Sequence, residues 1–177
     1  SSSTDPSGGV FYPDYFGKDF VLNDLTHDGG LTAIRIEGPT NSVDQRANRL
    51  SKELGLLDQE LSILDSEQSN IFWSRTKNLE VFKSLKSNLL RIVLPMSETL
   101  QVIQKLKNFE IKYFIDWGGG LIWASFDQLN TKILSEIKDT VKKHQGYITL
   151  IKVEEDLKAS ADIFTIDPIK YKISEKI

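Results

Sequence analysis

The stretch whose reading decides the fold is Phe109-Glu110-Ile111-Lys112-Tyr113-Phe114-Ile115-Asp116-Trp117-Gly118-Gly119-Gly120-Leu121-Ile122-Trp123-Ala124-Ser125-Phe126. Its first half alternates, with Phe109, Ile111, Tyr113 and Ile115 on one face and Glu110, Lys112, Phe114 and Asp116 on the other. A period of two belongs to a strand, because successive side chains of a pleated backbone point to opposite faces. Three glycines then interrupt the pattern and Leu121–Phe126 resumes it, so the spacing predicts a hairpin. Working outward, Leu89–Leu94 is almost continuously apolar, which predicts a central strand, and Pro95 stops it. Ser97 is the expected cap of a helix with Leu100, Ile103 and Leu106 on its buried stripe. On the other side Asn130 caps a helix with Ile133, Leu134, Ile137 and Val141 inside, and Lys142, Lys143 and His144 suit its negative end. Gly146 ends that helix, and Tyr147–Lys152 is the last strand.

The order over residues 89–152 is therefore β-α-β-β-α-β. The expected fold class is α+β: a ferredoxin-like antiparallel sheet with both helices on one face, the unit as a whole occupying 86–152. A smaller βαβα unit is expected over 31–85. Its parts are a strand at Leu31–Glu37, a helix from about Ser42 with Val43, Ala47, Leu50 and Leu54 on one stripe and Gly55 just past its end, and a short strand near Leu61–Leu64. Asp65-Ser66-Glu67-Gln68 then opens a helix through Ile71, Phe72 and Arg75, with Gln at the third helical position. Residues 1–30 read as an ordered connector or strap, because Phe11, Tyr12, Tyr15, Phe16 and Phe20 are too many aromatics for a free tail. Residues 153–177 read as a tail that stops inside an amphipathic helix: Asp167 caps it, Pro168 opens it, and Ile169, Ile173 and Ile177 share a face. With no initiator methionine and no C-cap, both ends read as cut.

The chain has 177 residues, of which 40% are hydrophobic and 27% charged, with a net charge of −3. That is enough apolar material for a core. The charges are interspersed, with no basic block, which disfavours a nucleic-acid or anionic-membrane partner. The absence of cysteine excludes disulfides, cysteine-ligated metal and thiol chemistry within the chain. No apolar run approaches the roughly 20 residues that span a bilayer.

Several residues invite a chemical reading. Gly118-Gly119-Gly120 joins two strands rather than a strand and a helix N-terminus, so a turn needing positive φ explains it better than a phosphate loop. Trp117 and Trp123 flank the turn, and either pack a core or cover a planar ligand. Arg91 sits in an otherwise apolar strand, where an unpaired charge is costly; it pairs with a carboxylate of the fold or binds one on a ligand. Arg75, after Phe72-Trp73, is a weaker case of the same kind. Of the two histidines, His144 reads as a helix-terminal cation, and His27 lacks companion ligands for a metal. No Ser-His-Asp set or paired carboxylates stand out.

Several stretches, in order, resemble one family, the FAD-binding subunits of bacterial glycolate oxidases, which belong to the FAD-linked oxidases of the vanillyl-alcohol-oxidase type. Leu89-Leu90-Arg91-Ile92-Val93-Leu94-Pro95 resembles that family's W-R-L-S-V-P strand, and Ile115-Asp116-Trp117-Gly118-Gly119-Gly120-Leu121-Ile122-Trp123 resembles its I-D-W-G-G-A-L-R-W hairpin. Gly146–Leu150 is similar to its last strand, Phe164–Pro168 to the segment before its final helix, and Leu31–Gly38 to its L-R-L-E-G strand. The likeness runs over about residues 24–177. It implies the C-terminal half of such a subunit: a cap over an isoalloxazine held by the parent's own N-terminal FAD domain, inactive as a fragment, with residues 1–30 as the strap from that domain. It implies a second flavin subunit and an iron–sulfur subunit as partners, a small 2-hydroxy acid as substrate, and a cytoplasmic place, peripheral at the inner membrane through those partners. Arg91 and Arg75 become substrate or interface candidates; Asp116, Trp117, Gly118, Gly119 and Trp123 become the flavin-facing or interface hairpin. Ile122 stands where the family has Arg, and Thr165 where it has His, so neither contact carries over.

The rival reading is a ferredoxin-like binding or regulatory module without catalysis, such as an RNA-recognition fold with Trp123 and Phe126 on its third strand. The first strand, however, lacks a matching aromatic, and the charge balance is acidic.

Overall fold

The computed structural model describes residues 4–16, 29–55, 61–85, 88–153 and 157. His27, Phe20, the segment from Phe164 and the expected helix at 167–177 lie outside them. The fold is α+β. Among the described residues are six strands, β1 (Gly8–Tyr12), β2 (Leu31–Arg35), β3 (Asn88–Val93), β4 (Ile111–Asp116), β5 (Leu121–Phe126) and β6 (Tyr147–Lys152). They form one antiparallel sheet in the order β2-β1-β4-β5-β3-β6. Four helices join them: α1 (Thr40–Glu53), α2 (Ser66–Lys77), α3 (Thr99–Leu106) and α4 (Thr131–Lys143). The chain divides into two compact units, with breaks after Leu85 and inside the β4–β5 hairpin; Phe114–Gly118 go with the first.

In the first unit β1 and β2 pair from Gly8↔Arg35 to Tyr12↔Leu31, and Phe11 pairs with Ile115 of β4. The aromatics near the N-terminus thus contribute a strand. Tyr12 packs at 4.8 Å from the Phe114 ring, and Phe82 stacks on Phe114 at 5.6 Å. The Tyr12 hydroxyl donates to Thr76 Oγ1 at 3.0 Å, and Thr76 donates to the Phe72 carbonyl. Helix α2 has the expected capping box, with the Asp65 carboxylate accepting from the Gln68 amide at 2.8 Å and the Gln68 side chain accepting from the Asp65 amide. Gly55 closes α1 with φ +64°.

The expected strand near Leu61–Leu64 does not form. The unit is therefore ββαα rather than βαβα, counting β1. Leu61–Leu64 has too little to bury, with Ile63 74% exposed, and runs straight into the Asp65 cap. The stripe of α1 is also shallower than its periodicity suggests: Val43, Ala47 and Leu50 are only half-buried and Leu54 is exposed.

In the second unit β3 is central, antiparallel to β5 from Asn88↔Phe126 to Val93↔Leu121 and to β6 from Leu90↔Leu150 to Val93↔Tyr147. Leu90, Ile92, Ile122, Ala124, Ile148 and Leu150 fall on one face and are buried. The buried stripes of α3 (Val102, Ile103, Leu106) and α4 (Leu134, Ile137, Val141) supply the apolar surface that covers a face of this kind. Asn130 caps α4 as expected, accepting from the Ile133 amide at 2.9 Å.

Ser97 does not cap α3. A single tight turn at Met96–Glu98 precedes the helix, and Thr99 is its first residue. That start shifts the helical phase: Thr99, Val102, Ile103 and Leu106 follow the i, i+3, i+4, i+7 rule inward, while Leu100 is 68% exposed. Strand β4 departs from its alternation in a similar way. It begins at Ile111 after a left-handed Glu110, and Phe114, on the face expected to be polar, is fully buried in the aromatic cluster.

Candidate functional site

The β4–β5 turn is built on backbone conformations that side chains resist. Trp117, Gly118 and Gly119 have φ of 53°, 60° and 117°, respectively. Glycine adopts positive φ without a Cβ clash, whereas a residue such as Trp117 is held there at a cost of about 1–2 kcal/mol. The Asp116 carboxylate offsets part of this by accepting from the Trp117 amide at 2.7 Å. The Trp117 ring is 58% exposed. On the strand beside the turn, Gly9 comes so near that an added Cβ would lie 3.4 Å from Gly118 Cα. Beyond the turn, the Gly119 carbonyl accepts from the Thr99 hydroxyl and the Gly120 carbonyl from the Leu94 amide. An exposed indole on a pinned, strained turn is poorly explained by core packing.

Arg91 and Trp123, read separately in the sequence, are brought together. They are direct partners across β3 and β5, and Thr149 of β6 is the partner of Arg91 on its other side. All three are half-buried, on the strand face opposite Ile92 and Ile122. On the same face Tyr147 and Ile151 are exposed, while Leu89 and Leu121 are buried. A guanidinium, an indole and a hydroxyl thus form one transverse row, offering a planar apolar surface beside hydrogen-bond donors suited to a carboxylate. Arg75 belongs to the first unit. Its Nε lies 3.9 Å from the Glu80 carboxylate, a long, partly exposed ion pair on the helix flank.

A third arrangement escaped the sequence reading. His144 is 8% exposed, its Nδ1 lies 2.6 Å from Glu98 Oε2, and its Nε2 lies 2.9 Å from Lys105 Nζ. Three elements meet here: the turn before α3, the last turn of α3 and the end of α4. No local signal in the sequence marks it, because 98 and 105 lie at opposite ends of α3 and 144 follows α4. His144 is thus held between two partners, rather than merely facing the C-terminal dipole of its own helix.

Among the described residues no group of three or more His, Asp or Glu side chains could hold a metal ion, and no helix is long and apolar enough to cross a membrane. No protein-family model matches the sequence, and no curated protein matches it.

Proposed function

We propose that this chain is the cap of an FAD-dependent 2-hydroxy-acid oxidase of the glycolate-oxidase kind, positioning substrate over a flavin held by a separate N-terminal domain. The observation that carries the reading is the Arg91–Trp123–Thr149 row, which unites the two most suggestive residues of the sequence resemblance on one sheet face. The strand order β4-β5-β3-β6, with α3 after β3 and α4 after β5, supports a ferredoxin-like βαββαβ unit for 86–152.

The residues suit a cap rather than a dinucleotide site. The glycines join two strands, so no helix N-terminus meets a pyrophosphate there, and FAD would be held by the N-terminal domain. A bound flavin supplies a two-electron sink for hydride from the substrate α-carbon. In this scheme Arg91 holds the substrate carboxylate, Trp123 lies along the planar ring or substrate, Thr149 adds a hydroxyl, and the strained Asp116–Gly119 turn meets the FAD domain. On this reading the partners would be a second flavin subunit and an iron–sulfur subunit, and the place cytoplasmic and peripheral to the inner membrane.

The test uses the full-length protein in its complex, with glycolate-dependent dye reduction as readout. Arg91→Ala is expected to raise KM about tenfold or more, the loss of a charge-assisted hydrogen bond of roughly 1.5–3 kcal/mol, with Arg91→Lys intermediate. Deleting 86–152 is expected to abolish turnover. Full activity in both variants would overturn the proposal.

A further inference from the structure

We propose that Lys105 is a carbonyl-reactive amine, with His144 as its proton acceptor and Glu98 as the group that orients the imidazole, and that its substrates are small anionic aldehydes. One tautomer of His144 satisfies both of its contacts. A carboxylate can only accept, so at 2.6 Å from Glu98 Oε2 the His144 Nδ1 carries the hydrogen and donates it. Nε2 then keeps its lone pair and accepts from Lys105 Nζ at 2.9 Å. A nucleophile within hydrogen-bond reach of a base, and that base held by a third group, is the arrangement that activates side-chain nucleophiles. The burial of His144 fixes the ring, while Lys105 itself is exposed and open to a reagent.

The chemistry balances without an oxidant. His144 Nε2 first accepts a proton from the Lys105 ammonium, which frees the Nζ lone pair. That pair attacks the aldehyde carbon, forming the C–N bond while the carbonyl π bond breaks toward oxygen, and the oxygen takes the proton back from His144. His144 Nε2 then accepts a second Nζ proton and passes it to the hydroxyl of the carbinolamine. The C–O bond breaks, water leaves and the protonated imine remains, with the charge the lysine began with. A histidine flanked by a carboxylate can serve in both directions, as base and then as acid. Charge selects the substrate: Lys107 follows Lys105 by two residues, Lys142 and Lys143 precede His144, and all are exposed. The one carboxylate in the chain of contacts, Glu98, is engaged by His144. A carboxylate-bearing aldehyde is drawn to such a surface more strongly than a neutral one.

The experiment treats the chain with limiting glyoxylate and sodium cyanoborohydride, which reduces each imine to a stable carboxymethyl adduct, and follows each lysine by peptide mass spectrometry. Lys105 is expected to react about tenfold faster than Lys107 and Lys142, a fraction of the roughly hundredfold that a positioned base contributes. In His144→Gln the rate at Lys105 should fall to that of Lys107, while Lys107 keeps its own rate as an internal control for folding. Equal rates in the unsubstituted chain, or a preference that persists in His144→Gln, would overturn the proposal. With propionaldehyde as probe the preference should shrink; a preference as large as with glyoxylate would overturn the anionic substrate class.

Discussion

Tyr12 is where the physics of a single side chain is clearest. Its ring is fully buried between Phe72 and Phe114, so its hydroxyl needs a partner, and Thr76 provides it. Burial pushes the phenol well above its usual range, the Asp116 carboxylate adds to the rise, and the Thr76 hydrogen bond opposes it. A group whose native pKa lies above its unfolded value binds more protons when folded, so stability is complete below the unfolded value of about 10 and falls as pH rises past it. Urea denaturation between pH 8 and pH 11 should therefore show stability dropping above about pH 10, and dropping less steeply in Tyr12→Phe, which at neutral pH should cost about 0.5–1.5 kcal/mol. Identical alkaline slopes in the two proteins would show that Tyr12 is not the titrating group. Nothing in the sequence marks this tyrosine among five neighbouring aromatics, because its partners Thr76 and Phe114 are 64 and 102 residues away.

At the scale of the element, caps and stops proved legible because they act within one turn of chain. The Asp65–Gln68 box, the Asn130 cap, the Pro95 stop and the glycine turn can each be read from four or five consecutive residues. Asp65→Ala should cost about 1 kcal/mol, since it orphans an amide in the first turn of α2, whereas Asp65→Ser should restore most of the loss; thermal or urea unfolding measures both. Helix α1 has no such support: its cap position is Pro39, without a side-chain bond, and none of its residues is buried. Elements that depend on a partner strand were read less well. The strand expected near Leu61–Leu64 does not form, with Ile63 left exposed, and β1 forms from a Gly-Gly segment that looks like a connector because β2 pairs with it. Phase was equally invisible in α3, where one tight turn at Met96–Glu98 moves Leu100 outward and Val102 inward.

For the whole molecule, the sheet hangs on β3, which is paired on both edges and carries Leu90 and Ile92 with no exposed surface. Ile92→Ala should cost about 2–5 kcal/mol, a large share of the roughly 5–15 kcal/mol that holds a domain folded, while Ile63→Ala should cost almost nothing; a urea midpoint that failed to separate the two would contradict this account of the core. The sequence by itself determined the α+β class, the order of elements over 89–152, the hairpin and the Asp65 and Asn130 caps. These follow from periodicity and short-range hydrogen bonding, which depend on neighbours in the chain. Only the tertiary structure decided that β1 joins the sheet, that Arg91 lies across from Trp123 and Thr149, and that His144 stands between Glu98 and Lys105. Each of those depends on register or on the meeting of helix ends, and register is set by which faces must be buried together, a property no local window of sequence contains.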